Sequence, residues 1–172
     1  MKSQYFGDSF DIVKRFFIGN IREMDYQVFV DPMFTDEWNE LEKNKFYDFI
    51  GAVPLKSLAT YSGKTALFLD PDTGIGRNPT KQHATIGKIV DYLQQGHAIA
   101  FSFDQSFSRG GDVLQQMREK LRLLKEKDKD AAGFYYNSHA CFLFSSKSPE
   151  VLENLKLHLV KAGLPEKRFI NQ

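Results

Sequence analysis

Residues 65–76, TALFLDPDTGIG, constrain the fold more than any other part of this chain. Ala66–Leu69 form an unbroken apolar run of strand length, with no alternating polar face to give to water. A strand of that kind must be covered on both sides, which is the condition of a central strand in a parallel sheet packed between helices. It ends abruptly in Asp70-Pro71-Asp72 and a loop carrying Gly74 and Gly76. Asp and Asp-Pro are natural strand stoppers and turn formers, so one such carboxylate needs no function. Two of them delivered by an apolar strand into a glycine-threaded loop point to a ligand, because glycine permits close backbone approach.

The neighbouring segments supply the rest of such a sheet. Ile86, Ile89, Val90 and Leu93 make one helical face that Gly96 stops, and AIAFSFD (98–104) is a second buried strand. Val113, Leu114, Met117, Leu121 and Leu124 form another stripe with Asp112 at its start. AGFYYNSHACFLFSS reads as a hairpin turning near Asn137-Ser138, with Tyr135 and Tyr136 as strand packing. A last helix has Ser148 as N-cap, Pro149 at its first position and Gly163 beyond its end. Upstream, Ile12, Val13, Phe16 and Phe17 recur at helical spacing behind an Asp8 cap. YQVFVDP (26–32) is a strand ending at proline; 33–50 reads as helical and 51–63 as loop with a short strand. This order predicts an α/β fold: one Rossmann-like three-layer domain over residues 1–172, its largely parallel sheet edged by an antiparallel C-terminal hairpin.

Composition narrows the setting. A chain of 172 residues, 42% hydrophobic with 16 Phe, has material for one good core. The net charge of +1 lacks the broad electrostatic footprint of a nucleic-acid coat, though it leaves room for a local basic patch. One cysteine, Cys141, makes no internal disulfide, and no apolar run reaches signal-peptide or membrane-span length. The expectation is a cytoplasmic protein with no membrane partner.

Three strands end in acid: Asp31, Asp70 and Asp104. In open α/β sheets the functional crevice lies outside the carboxyl ends of the strands, so parallel strands would put the three on one rim. Beyond the last of them, Arg109 with Gly110-Gly111 reads first as a flexible loop and second as a holder of phosphate at a helix N-terminus. His83 follows the Asp70 loop closely enough to reach a ligand there.

The strand–Asp70-Pro71-Asp72-Thr73 sequence, followed by helix, strand, helix and hairpin, resembles the second half of class I S-adenosylmethionine-dependent methyltransferases. In the amino-methylating members an acid or amide, two prolines and an aromatic residue stand at this strand end, where the first residue and the adjoining backbone hold the amine. Asp70 and Pro71 match; Asp72 stands for the second proline and Thr73 for the aromatic ring that stacks on an extruded base. Gly7-Asp8-Ser9-Phe10-Asp11-Ile12-Val13-Lys14 is similar to the Gly-Asn-x-x-Asp-Val-Leu-Lys element of the bacterial ribosomal-RNA adenine-N6 methyltransferases, with Asp8 in place of asparagine. That element lies beside the cofactor and active site there. The pair YFGDxxDxxK and FLDPDxGI also resembles a family of bacterial and phage proteins.

The resemblance implies Asp70, Pro71 and Asp72 as catalytic residues and Gly7, Asp8, Asp11, Lys14 and Asp31 on the S-adenosylmethionine side. Thr73, His83, Asp104 and Arg109 are the expected substrate contacts, the substrate being an amine such as one in a nucleic acid. The glycine-rich turn that such enzymes place after the first strand is missing, since residues 31–35 read Asp-Pro-Met-Phe-Thr.

The same acids read differently without the resemblance. Asp8, Asp11, Asp70, Asp72 and Asp104 are hard oxygen ligands for Mg²⁺ or Mn²⁺, and with Lys14 or Arg109 they would suit a metal-dependent nuclease or phosphodiesterase. A third reading is a non-enzymatic binder of nucleotide or protein on a degenerate methyltransferase shell. Other signals fall away. Ser62-Gly63-Lys64-Thr65 precedes a strand and has Leu58 at the upstream glycine position, so it is no phosphate loop. His83, His97, His139 and His158 lack metal-ligand spacing, and RLLKEKDKD reads as a solvated helix end.

Overall fold

The computed structural model describes residues 3–34, 38–80, 82–108 and 110–171. Seven strands form one sheet in the order β2-β1-β3-β6-β8-β7-β9. They are β1 (Gln27–Pro32), β2 (Val53–Pro54), β3 (Thr65–Asp70), β6 (Ile99–Phe103), β7 (Ala132–Tyr136), β8 (Phe142–Ser146) and β9 (Phe169–Asn171). A separate two-stranded ribbon joins β4 (Gly74–Ile75) to β5 (His83–Ala84). β1, β2, β3 and β6 pair in parallel; β8 runs against both β6 and β7, so β7 points with the parallel set. The α/β expectation holds, with one refinement. The antiparallel strand of the hairpin lies inside the sheet between β6 and β7, and the edge is β9.

Side chains alternate across a strand, and the alternation builds two cores. Ala66 and Phe68 of β3 join one core with α1 (Ser9–Glu23), α2 (Glu40–Ile50) and α5 (Pro149–Lys161). Leu67 and Leu69 join the other with α3 (Ile86–Gln94) and α4 (Val113–Lys127). All six residues of β3 are buried, as its apolar run requires. On the first face Phe68, Phe101, Phe144 and Phe134 stand in one cross-strand row, with successive ring centroids 4.8, 5.6 and 5.2 Å apart. Each such burial contributes about 1.5–3 kcal/mol, so this row pins the register of four strands.

Caps expected from sequence are present at Asp8, Asp112 and Ser148. The helix expected over 33–50 is shorter: α2 begins at Glu40 behind a capping box of Asn39 and Glu42. Residues 33 and 34 belong to no helix or strand, the Met33 amide donating to the Asp70 carbonyl at 3.0 Å, and 35–37 lie outside the described residues. Among the described residues no helix is long and apolar enough to cross a membrane.

Candidate functional site

The parallel strands deliver their carboxyl ends to one rim, but alternation divides the acids between its two sides. Asp70 follows Ala66 and Phe68 onto the α1 face, whereas Asp31 and Asp104 follow Phe29 and Ala100 onto the α3–α4 face. Asp31 there meets Lys88 at 2.5 Å and the Tyr92 hydroxyl at 2.7 Å, tying β1 to α3. Asp104 is fully buried and accepts from Lys120 Nζ (2.6 Å), the Tyr135 hydroxyl (2.8 Å), the Ile75 amide (2.9 Å) and the Ser106 hydroxyl (2.7 Å). Its oxygens are taken up in a latch between the β4 loop and α4. The expected roles of Asp31 in cofactor binding and Asp104 in substrate binding therefore have no support from where these residues stand.

On the α1 face a cavity of about 480 Å³ opens at the rim. It is lined by Tyr5, Phe10 and Phe103, by Asp8, Asp11, Asp72 and Lys14, and by Pro71, Thr73 and Gln105. Two distant segments meet at its floor. Lys14 Nζ lies 2.8 Å from Asp11 Oδ1 and 2.9 and 3.0 Å from the two oxygens of Asp70. All three side chains are at least nine-tenths buried. The ammonium also sits 5.6 Å from the Phe103 ring centroid and 5.9 Å from that of Phe46.

One ammonium faces two buried carboxylates, and the titration of the cluster follows. Burial alone would lower the Lys14 pKa, but the charges of Asp70 and Asp11 outweigh it and hold the lysine protonated above its usual range. Burial raises the Asp70 carboxyl, and Lys14 offsets only part of that.

Local structure explains the rest of the wall. Asp8 caps α1 by accepting from the Phe10 and Asp11 amides, and Gly7, at φ +81°, turns its own amide onto Asp11 Oδ2 at 2.9 Å. The Thr73 carbonyl accepts from the Gln105 amide at 3.1 Å, and the Gln105 side chain donates to the His139 carbonyl. The His139 ring stacks on Phe10 at 5.3 Å.

The cavity thus gathers Asp8, Asp11, Lys14, Pro71, Asp72 and Thr73 from the expected set, with Asp70 behind Lys14 rather than in the lining. Gly7 acts through Asp11. His83 stands on the β4–β5 ribbon, its Nδ1 3.0 Å from the Thr80 hydroxyl and outside the cavity wall. Arg109 lies outside the described residues. Tyr5, Phe10, Phe103 and Gln105 are wall residues that motif reading passed over. Alternation along β6 carried the signal for Phe103, which shares the face of Asp70.

Among the described residues, no group of three or more His, Cys, Asp or Glu is arranged to hold a metal ion. Of the five acids of the metal reading, Asp104 is turned to the opposite face of the sheet and held by Lys120, and an ammonium occupies the space in front of Asp70. No protein-family model matches this chain, and no curated protein and no solved structure matches it significantly.

Proposed function

We propose that the rim cavity binds S-adenosylmethionine and that the protein is a methyltransferase-like enzyme acting on an amine. The observation that carries this reading is the Asp11–Lys14–Asp70 cluster. It joins the two segments whose sequences resemble methyltransferase elements, 56 residues apart in the chain from Lys14 to Asp70, at the floor of one cavity.

The lining suits the ligand chemically. Three carboxylates against one ammonium leave it negative, and three aromatic rings offer π faces; both attract a cation such as a sulfonium. A volume of about 480 Å³ is within the usual range of small-molecule sites. S-adenosylmethionine, when bound, supplies the electrophilic methyl group.

The chain's own part is positioning and charge. Lys14 stays protonated, so it orients by donating hydrogen bonds and takes no proton. Asp70 is a positioning residue that holds Lys14 together with Asp11. Asp72, on the wall, would accept a hydrogen bond from an amine and so orient it. Phe10 and Phe103 exclude water from one side.

Calorimetric titration of metal-free protein tests the reading. S-adenosylmethionine should give heat with one-to-one saturation, weakened about tenfold or more in Tyr5→Ala by loss of an aromatic face. Tyr5 is 54% exposed, so that variant keeps its fold. Absence of heat from the wild type overturns the reading. Heat from Mn²⁺ alone, lost in Asp70→Asn, would replace it with metal chemistry.

A further inference from the structure

The electrostatic balance of the chain is uneven, and α4 is where the excess lies. The helix carries five cations and two carboxylates in a chain of net charge only +1. Its apolar stripe, Met117, Leu121 and Leu124, is buried against the sheet, and Lys120 is tied to Asp104. Arg118, Arg122 and Lys125, at i, i+4 and i+7, fall within one narrow sector of the helix surface. All three are exposed, and they line a shallow groove of about 360 Å³ together with Glu126.

From this arrangement we infer that the Arg118–Arg122–Lys125 stripe is a docking surface for the phosphodiester backbone of a nucleic acid. The stripe runs about 10 Å along the helix axis at about 1.5 Å per residue. That is the axial length of about three nucleotides at roughly 3.4 Å each.

Two of the three cations are arginines, whose forked donors match phosphate oxygens. Arg122 already pairs with Glu126 at 3.4 Å, but both are well exposed (71% and 56%). So exposed a pair contributes little to stability and yields readily to a phosphate. The helix has no spare apolar face for a lipid surface, because that face is in the core. Leu123, 37% exposed, stands away from the stripe, so no apolar residue lines the groove as one would at the centre of a protein interface.

The stripe sits on the sheet face opposite α1. α4 itself reaches the rim where Lys120 meets Asp104. Phosphate binding at the stripe does not depend on what the cavity takes. The calorimetric experiment reads the cavity alone, and the one that follows reads the stripe alone.

The test is fluorescence anisotropy of a labelled short single-stranded RNA, titrated over a range of salt. The comparison is between wild type, the triple variant Arg118→Gln/Arg122→Gln/Lys125→Gln, and a control with Lys45, Lys64 and Lys161 changed to Gln. All six positions are exposed, so the folds should be unaffected. The stripe variant should bind about tenfold or more weakly, and its log–log salt slope should fall by about 2, as expected for three lost phosphate contacts to a single strand. The control should keep both affinity and slope. No binding by wild type, equal binding by the stripe variant, or an equal loss in the control would each overturn the inference. So would binding to anionic lipid vesicles in place of RNA.

Discussion

Lys14 shows how a residue singled out by a local motif gains its partner only in the fold. In sequence it is an i+3 partner for Asp11 on an amphipathic helix; in the fold it bridges to Asp70 and becomes the cavity floor. His97 makes the complementary case of a buried group kept neutral. Its Nδ1 lies 2.7 Å from the Thr65 hydroxyl, and among the described residues its Nε2 is buried with no hydrogen-bond partner. Burial lowers its pKa below 6.5. Below its unfolded pKa of about 6.5 the unfolded chain binds a proton that the folded one resists, so His97 costs stability as pH falls through that value. The urea midpoint should therefore drop between about pH 7.5 and about pH 5.5, and drop less in His97→Asn. An unchanged difference between the two pH values in the variant would mean that His97 is not the source.

At the scale of elements, the β4 loop is held by backbone geometry as much as by charge. Gly74 has φ +123°, and a Cβ there would overlap Asp104 Oδ1 and lie 2.6 Å from the Gln105 amide nitrogen. Gly74→Ala should destabilise the protein by about 1–3 kcal/mol, read from urea denaturation. It should also weaken ligand binding in the cavity, because Gln105 and Thr73 are joined by the hydrogen bond this loop supports. Unaltered stability would show that the loop shifts freely. Most elements were legible in sequence, since an apolar stripe goes with a cap at α1 and α4 and with a stop at α3, and Ser148, Pro149 and Gly163 bracket α5. The β4–β5 ribbon, β9 and the late start of α2 were not. Strands of two or three residues carry too few side chains to show a period, and they exist because neighbours complete their hydrogen bonds.

For the whole molecule, the continuous sheet divides two helical layers, and protection should follow that architecture. β3 is fully buried and hydrogen-bonded to β1 and β6 on its two sides. Its amides should be the slowest to exchange with deuterium, with the β4–β5 ribbon and β9 exchanging first. Exchange of β3 together with the ribbon would contradict a core centred on that strand. The site belongs to this scale too. Its walls come from residues 5–14, 71–73 and 103–105, which only the assembled sheet and α1 bring together.

The sequence by itself determined the α/β class, the central place of β3, the caps at Asp8, Asp112 and Ser148 and the presence of an acidic strand end. Each of these follows from local periodicity, capping and the need to cover an apolar strand. The tertiary structure alone decided which acids share a site. Asp31, Asp70 and Asp104 look equivalent in sequence, yet strand alternation sends Asp70 to the cavity side, behind Lys14, and the other two into latches with α3 and α4. The physical reason is that a strand ending fixes the rim, while the face depends on the parity of each residue relative to helices packed from elsewhere in the chain.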